Sequence, residues 1–100
     1  MDILDVCKAL SNETRLQILE WLKEPEKHFP PQESGDMKEI GVCVSHIHDK
    51  VGLSQSTVSH FLLKLERAGL LTSHRVGKWT YYKRNEENIQ KIAEYIKHKL

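Results

Sequence analysis

The sequence predicts a mostly α-helical fold with one small β-hairpin: five helices, the hairpin lying between the fourth and the fifth. Three observations carry this. Apolar residues recur at helical spacing along five segments, capping residues and glycines punctuate those segments, and Trp79-Thr80-Tyr81-Tyr82 is a dense run of β-formers just after Gly77-Lys78. A chain of 100 residues that is 39% hydrophobic and 29% charged suits one globular domain spanning 1–100. A domain this small buries a limited core alone, so an oligomer that shares apolar surface is expected.

Ile3, Val6, Cys7 and Leu10 fall on one face of a first helix that ends near Ser11-Asn12. Those two residues favour a cap for the next helix, Glu13–Glu24, which carries Leu16, Ile18, Leu19, Trp21 and Leu22 and is stopped by Pro25. Residues 25–37 hold Pro25, Pro30, Pro31 and Gly35 with Phe29 as the large aromatic, and the long loop between the second and third helices extends over 25–39. Order resumes at Ile40-Gly41-Val42-Cys43-Val44. Val44, Ile47 and Val51 then mark a short third helix, capped by Ser45 and closed by Gly52. Ser54 caps a fourth helix, Gln55–Ala68, and Gly69 supplies its left-handed terminus. Leu70 to Val76 and Trp79 to Lys83 form the arms of the hairpin. Asn85 caps a last helix striped by Ile89, Ile92, Ala93, Ile96 and Leu100.

The fourth helix carries the chemistry. Val58, Phe61, Leu62 and Leu65 make its inner face, and the other side presents Gln55, Ser56, Thr57, Ser59, His60, Lys64 and Arg67. Surface helices usually carry long Glu and Lys there. Short neutral donors and acceptors instead approach base edges and phosphates closely, and Gln suits adenine in the major groove. The free N–H groups at the helix start favour a phosphate. A short preceding helix and a turn containing Gly52 complete a helix-turn-helix, and the hairpin, with Arg75 and Lys78 near its tip, makes a wing placed to follow the backbone. From Lys64 to Arg84 six Lys/Arg stand against one acid, Glu66, although the net charge of the whole chain is only +1. The expected DNA-binding set is therefore Ser54, Gln55, Ser56, Thr57, Ser59, His60, Lys64, Arg75 and Lys78, and the expected partner is double-stranded DNA.

Three segments also resemble the ArsR/SmtB family of bacterial repressors. Lys8-Ala9-Leu10-Ser11-Asn12-Glu13-Thr14-Arg15-Leu16-Gln17-Ile18-Leu19 is similar to its opening signature. Gly52 to Leu62 is similar to its recognition-helix signature, and Ala68-Gly69-Leu70-Leu71 with Arg75 to Tyr82 to its wing. The resemblance covers nearly all of the chain outside the 25–39 loop. It implies a winged helix-turn-helix homodimer that represses transcription by occupying a pseudo-palindromic operator, with the first and last helices building the dimer interface. Ile3, Val6, Ile89, Ile92, Ala93 and Ile96 are the residues expected there. Phe61 departs from the family, many members of which have a second His after the equivalent of His60. Position 61 lies on the apolar face, which makes this a packing change.

Members of this family often sense metals. One of their sites resembles Glu-Leu-Cys-Val-Cys-Asp-Leu, against which Gly41, Val42, Cys43, Val44, Ser45, His46 and Ile47 align. Cys43 is retained, but Ser45 replaces the second thiolate that soft metals require. A second site lies on the last helix; Glu86 can fill its first position, whereas Asn88 and Lys99 stand where its two histidines would be. No metal or other cofactor is therefore expected. Cys43 and His46, with His48, His28 or Cys7, are the candidates for a nonstandard metal or redox site, but His46 and His48 are two apart and face different ways on a helix. Cys7 reads as a core residue, Cys43 as a small apolar filler, and His74 and His98 as solvated.

Other functions fit less well. No nucleophile, base and orienting acid occur in a recognisable arrangement, so an enzyme is not expected. A protein-interaction winged helix would show an apolar or charged outer face on the fourth helix, and only the partly outward Leu63 favours that. The acidic start Met1-Asp2-Ile3-Leu4-Asp5 is unlike a signal peptide, no apolar run is long enough to span a bilayer, and two cysteines make no disulfide framework. These features predict a cytoplasmic location with both thiols reduced and no membrane partner.

Overall fold

In the computed structural model, which describes residues 2–100, the sequence's caps become the starts of its helices. Asp2 accepts the Leu4 N–H at the start of α1 (Ile3–Leu10), and Asn12 accepts the Arg15 N–H at the start of α2 (Glu13–Lys23). A 3₁₀ turn at Pro25–Lys27 and a one-turn helix, α3 (Met37–Ile40), follow. Next come β1 (Val42–Cys43), α4 (Val44–Val51) and α5 (Gln55–Arg67). Strands β2 (Leu71–Val76) and β3 (Trp79–Arg84) and helix α6 (Glu86–Lys99), capped by Asn85, complete the chain. No helix among the described residues is long and apolar enough to cross a membrane.

The expected five helices and two-stranded wing thus gain a short sixth helix and a third strand. The sheet runs β1-β3-β2, all antiparallel, with Val42 opposite Tyr82 and Leu71 opposite Arg84. Gly41 makes the third strand possible. At φ +96 it occupies a conformation that disfavours side chains, and a Cβ there would stand 2.6 Å from the Tyr82 carbonyl oxygen. The 25–39 segment is also packed rather than open. Pro25, Phe29 and Met37 are buried, and Gln32 donates to the Gly41 carbonyl (2.7 Å) and accepts from the Cys43 N–H (3.2 Å). Tyr81 Oη donates to Ser34 at 2.7 Å, so β3 anchors the same segment.

The core lies where α1, α2, α4, α5 and the base of the sheet meet, around Val6, Ile18, Val42, Ile47, Val58, Leu62, Leu65 and Leu71. Four local expectations are corrected. Val6, expected at a subunit interface, is 1% exposed and belongs to the protomer's own core. Cys7, expected in the core, is exposed, because the inner face of α1 is centred on Val6 and Ala9, which leaves Cys7 on its flank. Ser45 does not cap α4; it lies in the first turn, with its hydroxyl 3.3 Å from Cys43 Sγ. Leu100 lies beyond the end of α6 and is exposed rather than on its stripe.

Among the described residues, Arg15 is the one charged side chain in the core, at 8% exposure. Its Nε donates to the Ala9 carbonyl at 2.7 Å and its Nη2 to the Lys8 carbonyl at 3.0 Å, where the negative end of the α1 dipole offsets its charge. The guanidinium lies 5.3 Å from the Phe61 ring centroid. Arg15 therefore closes the α1–α2 corner and ties it to α5, and Phe61 takes part through packing.

Candidate nucleic-acid interface

Helix α5 is held by its inner face, on which Val58, Leu62 and Leu65 are buried. Gly52, at φ +75, ends α4 and turns the chain toward Ser54. Ser54 Oγ accepts the Thr57 N–H at 3.2 Å and donates to Thr57 Oγ1 at 2.8 Å. These two hydroxyls are engaged in building the N-terminus, which leaves the outward chemistry to their neighbours. Gln55, Ser56, Ser59, His60 and Lys64 are exposed along the first three turns. Ser59 Oγ approaches His48 Nε2 at 3.5 Å, linking the two helices of the motif.

The wing is a two-residue hairpin in which Val76 pairs with Trp79 across Gly77-Lys78. Gly77 has φ +61 and Lys78 a negative φ, the pattern of a type II′ turn. Arg75 Nε donates to the Gly77 carbonyl at 3.2 Å, and Lys78 Nζ lies 5.9 Å from the Trp79 ring centroid. Arg75, Val76, Lys78 and Trp79 are all exposed, so the tip presents two cations on an amphipathic ribbon. Lys78 and Arg75 project from a different element than Gln55 and Ser56, which gives two separate contact regions of matching character.

A groove of about 220 Å³ lies on another side, lined by Leu10, Leu19, Leu70, Ile89, Ile92, Ala93 and Ile96 with Arg84. Ile96 is 46% exposed and Ala93 is also exposed, whereas Ile92 is largely buried and lines the groove floor. Ile3 is half-buried at the edge of the core. Sequence reasoning missed Leu10, Leu19 and Leu70 as part of this face, since their periodicity assigns them equally well to the core.

Cys43 and His46 line a cleft of about 550 Å³ with Gln32, Ser34, Trp79 and Tyr81. Cys43 is buried with Ser45 as its polar neighbour, and His46 Nδ1 is buried without a hydrogen-bond partner. No group of three or more His, Cys, Asp or Glu converges among the described residues. The donor set around Cys43 therefore does not fit the thiolate-rich metal centre that the family's best-known pattern requires.

A capped, polar-faced helix behind a glycine turn, flanked by a cationic hairpin, defines a winged helix-turn-helix protein of the DNA-binding regulator class. Residues 41–73 match the family described as bacterial regulatory protein, arsR family. The uncharacterized HTH-type transcriptional regulator YbzH of Bacillus subtilis strain 168 is 59% identical over 97% of this chain and 97% of its own length. The transcriptional repressor SdpR of the same organism is 31% identical over 92% of this chain and 86% of its own. Among solved structures, the homodimeric winged helix-turn-helix DNA-binding domain Mb0332 of Mycobacterium bovis superposes with a TM-score of 0.66 at 27% identity, covering 95% of this chain and 74% of that one. The chain belongs to the ArsR family and is a DNA-binding transcriptional regulator.

Proposed function

We propose that the protein is a cytoplasmic homodimer that represses transcription by occupying a pseudo-palindromic operator. Each α5 enters a major groove by its N-terminal half, Gln55, Ser56, Ser59 and His60 meet base edges or phosphates, and Arg75 and Lys78 of the wing follow the backbone. Ser54 and Thr57 serve by holding the helix start. The second copy covers the groove between α1 and α6, where Ile89, Ile92, Ala93 and Ile96 would be shared, with Ile3 and Leu10 at its margin. Homodimerisation of the mycobacterial neighbour supports this. Cys43 and His46 carry no metal in this reading.

The observation that carries the proposal is the exposed outer face of α5, built of short neutral polar residues on a helix whose inner face buries Val58, Leu62 and Leu65. Footprinting on the protein's own promoter, combined with light scattering of the free protein, tests it. The expected result is a dimer in solution that protects two half-sites about 34 Å apart, one turn of DNA. A monomer, or protection of a single half-site, contradicts it.

A further inference from the structure

A second groove, of about 310 Å³, separates α1 from the distal half of α5. Lys8 enters it from α1, and His60, Lys64 and Arg67 line it from α5; Asp5 is its single carboxylate. Among the described residues no carboxylate lies within ion-pair distance of Lys8, Lys64 or Arg67. His60 contributes a ring N–H in either tautomer. Three unpaired cations around one concavity repel one another, and an anion seated among them relieves that repulsion.

Two further features identify the anion's source. His60 and Lys64 belong both to this groove and to the outward face of α5, so the groove continues the interface described above. Leu63, 40% exposed, also lines it. One leucine ringed by cations is too small for a hydrophobic docking patch, but it suits the apolar edge of a deoxyribose beside a phosphate. On α1, Asp5 and Lys8 lie roughly half a helical turn round from Ile3 and Leu10, so a partner covering the α1–α6 face leaves the groove open.

We propose that this groove seats a DNA backbone phosphate, with Lys8 and Arg67 as its cations, and so extends the contact surface beyond recognition helix and wing onto α1. The inference rests on the proposed docking of α5 in the major groove. Its test is the salt dependence of binding, by fluorescence anisotropy, for Lys8→Gln, Arg67→Gln and the double variant, on the promoter and on a random duplex. Lys27→Gln, a surface cation paired with Glu24 at 2.7 Å, controls for net charge.

Each groove substitution is expected to lower the slope of log Kd against log salt by about 0.9 on both duplexes, with the control unchanged. The wild-type advantage over the double variant then shrinks about twelvefold between 50 and 200 mM salt, since each lost contact accounts for about 3.5-fold. Unchanged slopes with promoter preference intact overturn the inference while leaving the α5 reading standing. An equal change for Lys27→Gln overturns it as a net-charge effect. Tight binding of inorganic phosphate at constant ionic strength, lost in the double variant without any change in DNA affinity, reassigns the groove to a free anion and also overturns it. A wild-type protein that binds neither duplex removes the α5 reading, and the inference with it.

Discussion

Replacing Arg15 with Met, which is similar in length and has no charge, tests whether the α1–α2 corner is held as the structure indicates. The substitution removes hydrogen bonds of 2.7 and 3.0 Å to the Ala9 and Lys8 carbonyls. The Lys8 oxygen keeps a bond from the Ser11 N–H at 3.3 Å, but the Ala9 oxygen lies past the reach of its own helix ladder. Leaving that buried acceptor unpaired costs about 1–3 kcal/mol, and losing the contact with Phe61 about 0.5–1 kcal/mol. Relief of the buried guanidinium's desolvation returns part of this. A net loss of about 2 kcal/mol corresponds to a melting temperature lowered by roughly 8–16 °C for a domain of this size. Thermal unfolding followed by circular dichroism, at one fixed protein concentration because the proposed dimerisation would be linked to stability, measures it. Arg15→Lys should recover only part of the loss, since an ammonium cannot reproduce the fork geometry. A melting temperature for Arg15→Met within about 2 °C of wild type would refute the reasoning, because it corresponds to less than about 0.5 kcal/mol.

Gly41→Ala is expected to destabilise the protein by about 2 kcal/mol or more, since it adds a strained φ to a methyl group pressed on the Tyr82 carbonyl; hydrogen exchange should show the loss concentrated at Cys43 and Tyr82. Gln55→Ala should weaken promoter binding by about 1–3 kcal/mol at one base position and flatten discrimination there, whereas Lys78→Ala should weaken every duplex alike; anisotropy against a panel of single-base operator variants separates the two. Ile96→Asp should shift the proposed dimer to monomer in light scattering, with unfolding of the monomer little changed, because this side chain is 46% exposed in the protomer.

Helix α5 was legible because every level of its sequence agrees. Val58, Phe61, Leu62 and Leu65 keep strict helical spacing, Ser54 caps the start, and Gly69 at φ +82 closes the end. The hairpin was legible from Gly77-Lys78 and its aromatic arm. Helix α3 and strand β1 were not, since four residues and two residues show no periodicity. Both are set by distant partners: Tyr82, which pairs with Val42, and Lys83, whose Nζ donates to the Glu39 carbonyl at 2.8 Å. Cys7 was placed inward because alanine carries little weight in an apolar stripe, yet Ala9 sits deepest on α1. In the α1–α5 groove, Lys64 and Arg67 were legible on the outer face of the helix, but Lys8 escaped sequence reasoning. Lys8 and Arg67 are far apart along the chain, and only the packing of α1 beside α5 brings them to one concavity.

The central claim is that the polar outer face of α5 reads DNA sequence. Dissociation constants of the wild-type protein for its own promoter and for a random duplex of equal length, measured together at physiological salt, test it most directly. A specific reader binds the promoter about a thousandfold or more tightly than the random duplex. Equal affinity for the two would contradict the account.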